Sequence, residues 1–131
     1  VLLGVGPDDE QRATAMAKAV ADLPAADREV QAHLCHVFGD NPEGASVDQI
    51  GTVRRAREIL EDADVTCVYH EASGNPADEL MATADEVDAD AICVSGRRRS
   101  PTGKAMFGST TQTLVLNADR PILTAPSSGR D

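Results

Sequence analysis

Strand-like and helix-like runs alternate along this 131-residue chain, and this alternation limits its fold more than any other feature. Short apolar runs with the length of buried strands are separated by segments whose apolar residues recur at helical spacing. Right-handed crossovers join such strands into a parallel sheet. The sequence therefore predicts an α/β fold, βαβαβαβαβ, with an open five-stranded parallel sheet and helices on both faces. The predicted strands are Val1 to Val5, Val30 to Phe38, Val65 to His70, Ala89 to Ser95 and Pro121 to Ala125.

Capping signals mark the starts of the predicted helices. The first helix follows the first strand, with an apolar face that begins at Ala13. Ser46 and Gln49 have the spacing of a capping box before the second helix. Asn75, followed by proline, suits the N-cap and first turn of the third helix. The fourth helix is predicted over Ser109 to Asn117.

The charge balance is strongly acidic, with 22 Asp and Glu residues against 12 Lys and Arg residues and a net charge of −10. A surface of this sign repels phosphate backbones, which argues against non-specific nucleic-acid binding. Asp outnumbers Glu, and Lys18 and Lys104 are the only lysines, so the composition resembles that of proteins from salt-loving organisms. In molar salt, screening over about 3 Å removes the self-repulsion of such a fold.

Length and apolar patterning predict how the chain is organised. We expect one domain over residues 1–126, followed by a frayed tail at 127–131. Cys35, Cys67 and Cys93 fall in predicted strands without CxxC spacing, which favours buried free thiols over disulfides or a zinc site. No run approaches the roughly 18 apolar residues of a membrane span, and no segment resembles a signal peptide. We therefore expect a cytoplasmic protein with no membrane partner.

The most basic segment, Ser95 to Ser109, joins the fourth strand to the fourth helix. The helix start at Gly108 offers backbone N–H groups and a positive dipole end, which attract anions. One interpretation is therefore that this segment binds phosphate. The other is that Ser109 is an ordinary N-cap paired with Gln112, and that the cations form a solvated basic patch. These cations are Arg97, Arg98, Arg99 and Lys104.

No other group of residues selects a catalytic or metal site. Gly103-Lys104 lacks the first glycine and the hydroxyl of a phosphate-binding Walker loop. His33 and His36 are three residues apart on a strand and point to opposite faces, so they are interpreted as packed strand residues that cannot hold one metal together. His70, at the end of the third predicted strand, is better placed for a polar contact. We predict no catalytic residue and no metal ligand.

The complete pattern resembles the universal stress protein family, which has a flavodoxin-like fold of the adenine nucleotide alpha hydrolase-like type. The resemblance covers the whole chain. Its most specific part is a strand, Gly96, a helix start at Gly108-Ser109, and then Ala118-Asp-Arg-Pro-Ile122 leading into the last strand. The segment from His70 to Ala77 is also similar to the family's short Gly-x-Pro turn into a helix.

The resemblance implies an adenine-nucleotide site at the carboxyl ends of the strands. ATP with Mg²⁺ is the cofactor that it suggests. Val5 and Val37 would wall a largely aliphatic adenine pocket, and the terminal loop would hold the phosphates. The residues implied in that loop are Ser95, Gly96, Arg98, Arg99, Gly108, Ser109 and Thr110.

The sequence departs from the nucleotide-binding members of the family at two places. Their terminal loop carries a second glycine, where this chain has Arg98 or Arg99 and is one residue shorter. Their first strand is followed by an aspartate that contacts the nucleotide. Here Gly6 occupies that turn, and Asp8 and Asp9 come two or three positions later.

The function that the resemblance implies is a nucleotide-binding stress-response module with at most slow ATP hydrolysis, and the acidic composition makes it haloarchaeal-type. A homodimer joined through the fifth strand, Pro121 to Ala125, is implied as well, since an apolar edge strand is best covered by its symmetry mate. The alternative is a nucleotide-free dimeric interaction protein whose altered loop is a docking surface. A ligase-like enzyme of the same superfamily is the weakest alternative, because Gly4 to Asp8 lacks the Ser-Gly-Gly-x-Asp-Ser loop of such enzymes.

Overall fold

The structure, a computed structural model, describes residues 1–6, 10–24, 26–39, 46–98, 105–106 and 108–127. Of residues 26–27, 96–98, 105–106 and 126–127 it describes the backbone alone. A 3₁₀ turn, Val47–Gln49, precedes the third helix. The strands and helices in chain order are β1 (Leu2–Gly4), α1 (Glu10–Ala21), α2 (Ala26–Glu29), β2 (Gln31–Phe38), α3 (Gly51–Asp62), β3 (Thr66–Ser73), α4 (Pro76–Val87), β4 (Ile92–Arg98), β5 (Ala105–Met106), α5 (Ser109–Asn117) and β6 (Ile122–Ser127).

Five strands form the parallel sheet that the sequence predicts, in the order β3-β2-β1-β4-β6. At its centre, Leu2 of β1 pairs with His33 of β2 on one side and with Ile92 of β4 on the other. Along the chain, β2 and β3 are added on one side of β1, and β4 and β6 are then added on the other side. The strand order therefore reverses between β1 and β4, which is where open α/β sheets bind ligands at their carboxyl edge.

Two hydrophobic clusters cover the two faces of the sheet. Leu3, Leu34 and Val53 are buried where α1 and α3 pack on one face, and Leu2 and Leu114 where α4 and α5 pack on the other. None of the helices in the described ranges is long and apolar enough to cross a membrane. The inward face of α1 matches the predicted stripe, with Ala13, Met16, Ala17 and Val20 buried.

Two of the predicted caps are present. The side-chain oxygen of Asn75 accepts a hydrogen bond from the Asp78 N–H at 3.1 Å, and Pro76 opens α4. The Gln49 side chain accepts one from the Ser46 N–H at 2.9 Å. This second contact closes the 3₁₀ turn, and α3 begins only after it.

The fourth strand is longer than the sequence predicts, because it has partners on both edges beyond Ser95. Gly96 and Arg97 pair with β6, while Arg97 and Arg98 pair antiparallel with the two residues of β5. Gly96 and Arg98, which were expected in a loop, therefore belong to β4. Since β6 already occupies one edge, β5 lies on the edge that faces β1. The last strand likewise continues through Ser127.

Arg120, in the turn before β6, holds the end of α4 against the sheet. Its guanidinium donates to the carbonyl oxygens of Ala84 at 2.8 Å and Ala89 at 2.9 Å. It also forms an ion pair with Asp85 at 2.5 Å. The Arg120 side chain is only 15% exposed and its bonds to the two carbonyl oxygens are partly buried, whereas the Asp85 side chain is 67% exposed.

Candidate functional site

A cavity of about 480 Å³ opens at the carboxyl edge of the sheet. Residues at the end of β1, in the carboxyl-terminal half of β2 and in the middle of β4 form its base, and the first turns of α1, α4 and α5 form its sides. It lies where the strand order reverses between β1 and β4. Its volume falls within the range of roughly 300–1,000 Å³ that small-molecule sites occupy.

The cavity brings together residues that are far apart in the sequence. Arg98 is the last residue of β4, and only its backbone is described. Arg99 and Gly103-Lys104 lie outside the described residues. Gly96 follows Ser95 directly in β4. The predicted site residues that line the cavity are Val5, Val37, Ser95, Gly108, Ser109 and Thr110.

The start of α5 forms one wall of the cavity. Gly108 is the N-cap, with φ −74° and ψ 176°, and no side-chain bond caps the helix. The interpretation of Ser109 as the N-cap is therefore wrong, since Ser109 is already the first helical residue. The first intrahelical bond runs from the Gln112 N–H to the Gly108 oxygen at 3.1 Å. The backbone N–H groups of residues 109–111 precede it and are of the kind that bind anions at helix starts.

A buried threonine fixes this helix start to the sheet. The hydroxyl of Thr111, a residue 5% exposed, donates to the carbonyl oxygen of Ser95 at 3.2 Å. Both residues line the cavity. A direct hydrogen bond thus sets the distance between Ser95, within β4, and the start of α5.

The segment after β1 is held in the same way from the other face of the sheet. The Thr52 hydroxyl donates to the carbonyl oxygen of Gly6. His36 Nδ1 lies 2.7 Å from the carbonyl oxygen of Val5. A carbonyl oxygen can only accept, so Nδ1 carries the hydrogen and donates it.

Sequence reasoning missed three polar residues that line this cavity, Thr111, His36 and Arg12. His36 is 4% exposed and was interpreted as an ordinary packed histidine, although it directly precedes Val37 near a strand end. Arg12 lies in the first turn of α1 and brings a guanidinium to the cavity. Its position four residues before the buried Met16 was the available signal, because that spacing places both on one helix face.

The cysteines are free thiols, as predicted. Burial raises the pKa of Cys35 to about 11, of Cys67 to about 11 and of Cys93 to about 12. They are therefore protonated and unreactive at neutral pH. No group of three or more His, Cys, Asp or Glu side chains within the described ranges is arranged to hold a metal ion.

His70 has a different environment from the one predicted. β3 continues past it to Ser73, so His70 lies within the strand and not at its end. Its Nε2 is 2.8 Å from Nδ1 of His33. Burial, and then the neighbouring His70, lower the pKa of His33.

Comparison with known proteins identifies the family. The model of the universal stress protein family matches residues 1–126 of this chain. The chain belongs to the universal stress protein family. A universal stress protein from Mycolicibacterium smegmatis is 30% identical over 92 residues, which are 70% of this chain and 71% of that protein.

Solved structures of universal stress proteins share the fold. One from Archaeoglobus fulgidus is 28% identical, with a TM-score of 0.68 over 95% of this chain and 96% of that one. Another from the same organism, in complex with dAMP, is 22% identical, with a TM-score of 0.63 over 95% and 94% of the two chains. Further members of the fold at 20% and 14% identity, with TM-scores of 0.70 and 0.68, are complexes with cAMP and, from Arabidopsis thaliana, with AMP.

Proposed function

We propose that this universal stress protein binds an adenine nucleotide in the cavity between β1, β4 and α5, and acts as a stress-response module. The observation that carries the proposal is that Val5, Val37, Ser95 and the start of α5 line one cavity at the point where the strand order reverses. Related proteins of this fold are complexes with dAMP, cAMP and AMP.

The two ends of the cavity suit the two ends of a nucleotide. Val5 and Val37 offer apolar walls to a base, and His36 adds a buried imidazole beside them. The opposite wall offers the N–H groups at the start of α5 and the hydroxyls of Ser109 and Thr110 to a phosphate. Arg12 supplies positive charge to the same cavity.

The finer parts of the proposal concern the phosphates. We propose that Gly96 and the cations Arg98 and Arg99 extend the phosphate site beyond Ser95. ATP with Mg²⁺ is then the natural ligand, with at most slow hydrolysis. β5 supports this assignment, because its pairing returns the basic segment to the edge of β4 that faces β1. Comparing AMP with ATP, with and without Mg²⁺, tests how many phosphates the protein recognises.

The binding test is isothermal calorimetry at high KCl with AMP and with Mg-ATP. Gly108→Val should abolish binding by covering the backbone that meets the phosphate, and Ser109→Ala should weaken it about fivefold, the worth of roughly one hydrogen bond. Neither change should harm the fold. Among the described residues, a Cβ at Gly108 meets nothing within 4 Å, and the N-cap makes no side-chain hydrogen bond. The φ of Gly108 suits any residue.

Gly51→Val is the matched control. Gly51 also has open space around its Cβ, at the first position of α3. Gly51→Val should therefore bind nucleotide like the unmodified protein. The proposal fails if neither nucleotide produces heat at millimolar concentration in the unmodified protein, or if Gly51→Val and Gly108→Val lose binding equally.

We further propose that residues 1–126 form one domain. We also propose that the protein works in the cytoplasm of a salt-loving, haloarchaeal-type cell, which the acidic composition supports. Finally, we propose a homodimer joined through the last strand, because the outer edge of β6 pairs with none of the described strands.

A nucleotide-free dimeric interaction protein is the second candidate function. It is favoured by Val115 and Leu116 of α5, which are 56% and 81% exposed. Charge reversal of Arg97 to Arg99 would then disturb a partner complex while leaving small-molecule binding unchanged.

A further inference from the structure

His33 and His70 form an isolated pair on the face of the sheet that α4 and α5 cover. His33 of β2 is in register with Val68 of β3, so His70, two residues further along β3, lies on the same face. Nδ1 of His33 is 2.8 Å from Nε2 of His70, and the ring centroids are 5.0 Å apart. Both residues are half-buried. His36, the third histidine of the chain, is hydrogen-bonded to Val5 and lies elsewhere.

The facing nitrogens are suited to one shared cation. In the hydrogen bond, one facing nitrogen donates and the other accepts, so a single proton lies between the rings. A change of tautomer in the donor ring gives both facing nitrogens a free lone pair. Imidazole nitrogens bind late first-row divalent metals, with Zn–N distances of about 2.0–2.1 Å. Two nitrogens on one tetrahedral zinc are then roughly 3.3 Å apart. The observed contact needs to open by only about half an ångström to admit the ion.

Charges of both signs act near the pair, and water can reach it. Cys35 is in register with His70, and the carboxylates of Glu79 and Glu86 act on Cys35 electrostatically, while the N-terminal ammonium acts on His33. The Cys35 thiol itself is buried and donates to Thr83 at a long 4.0 Å, which leaves it outside the ligand set. Because the two rings are half-exposed, water reaches them and can fill the remaining coordination positions.

We propose that His33 and His70 form a two-histidine binding site for a late first-row divalent cation, represented by Zn²⁺, that links β2 to β3. The site is separate from the nucleotide cavity. Its ligands are His33 Nδ1 and His70 Nε2, and water completes the coordination. When the metal binds, the proton between the rings moves by exchange with water to the far nitrogen of the ring that held it, so both imidazoles stay neutral and each facing nitrogen offers a lone pair.

The test is a titration of the full-length, nucleotide-free protein with Zn²⁺, followed by NMR of the histidine rings. The chain has 3 histidines, so His36 is an internal control in the same spectrum. We expect one saturable Zn²⁺ per chain in the micromolar range, with ring signals of His33 and His70 shifted and those of His36 unchanged. Calorimetry on the same samples gives the stoichiometry.

Single substitutions assign the ligands. His33→Asn and His70→Gln keep a polar group near the lost nitrogen, and each should weaken Zn²⁺ binding at least about tenfold. Cys67→Ser, which removes a half-exposed thiol on the opposite face of β3, should leave the affinity unchanged. The proposal is overturned if no saturable binding occurs below millimolar Zn²⁺, if binding survives both histidine substitutions, or if the His36 signals shift instead.

Discussion

At the residue scale, Arg120 is the side chain with the most varied set of described contacts. Its guanidinium satisfies two carbonyl oxygens at the end of α4, Ala84 and Ala89, and pairs with Asp85. The Ala84 carbonyl already accepts backbone N–H bonds from Asp88 and Ala89, so Arg120 adds a charged donor at this helix end, where a cation is favourable. Arg120 also lies just before Pro121, in the Ala-x-x-Pro segment on which the family resemblance partly rests.

We expect Arg120→Ala to lower the free energy of unfolding by about 1.5–3 kcal/mol, because it removes charge-assisted hydrogen bonds to two carbonyl oxygens in partly buried positions. Arg120→Lys should recover part of this loss, since one ammonium cannot reach all three acceptors in the arginine geometry. Urea unfolding at high KCl measures both. Arg55→Ala, which removes an exposed pair with Glu58, is the control and should change stability by less than about 1 kcal/mol. Equal effects at the two positions would contradict this assignment.

The residues that line the cavity show which side-chain positions can be predicted from the sequence. Val5, Val37 and Gly108 were predictable, because the ends of parallel strands and the start of the following helix meet at one edge by topology. His36 and Arg12 were not, since strand and helix periods place a side chain on a face without telling what lies above that face. The contact between His33 and His70 depends on the pairing register of two strands, which a single sequence does not contain.

At the element scale, the outer edge of β6 is the feature with the clearest consequence. The Ile92 N–H donates to the Pro121 oxygen, so the backbone groups of Leu123 also point to β4. By alternation, Ile122 and Thr124 direct their N–H and C=O groups away from β4, to the free edge. Pro126 has the same parity and no N–H. The proposed dimer contact is therefore limited to a short stretch around residues 122–124.

Thr124→Pro should separate the proposed dimer into monomers of 13.8 kDa, because it removes an outward N–H and leaves the bonds to β4 intact. Light scattering at high KCl measures the mass. Thr124→Val keeps the N–H and should remain dimeric. A dimer that withstands Thr124→Pro with its mass unchanged would place the contact elsewhere, for instance on the exposed apolar residues of α5.

The strands and helices themselves were largely predictable, and the differences have local causes. α5 has the predicted bounds, Ser109–Asn117. β4 extends to Arg98 because it pairs with β5 and β6, and neither pairing is visible in the composition of an Arg-rich segment. The two-residue β5 and the four-residue α2 are too short to carry a periodic signal.

At the scale of the whole molecule, the net charge of −10 acts on every part of the fold at once. We expect the free energy of unfolding to rise as KCl increases from about 0.1 M to 1 M, because the screening length falls from about 10 Å to 3 Å and the carboxylates repel one another less. Urea unfolding across this series is the measurement. Stability that is unchanged or greater in dilute buffer would contradict the halophilic assignment.

A variant with less negative charge separates screening from general salt effects. Asp62→Asn, Glu86→Gln and Asp90→Asn together remove three exposed carboxylates. The free energy of unfolding of the combined variant should rise less steeply with KCl than that of the unmodified protein. An unchanged slope would mean that the salt acts through apolar burial and not through charge.

The central position of β1 has a consequence for how the protein is made. Leu2 pairs with Ile92, 90 positions later in the chain (92 − 2), so one edge of this apolar strand has no partner until most of the sequence has left the ribosome. β2 can protect the other edge much earlier, through the pairing of Leu2 with His33. A nascent chain interrupted between these two points exposes an apolar strand edge of the kind that pairs with other chains. Truncated products that end before residue 92 should therefore be the aggregating species during synthesis, and the ones that chaperones need to hold.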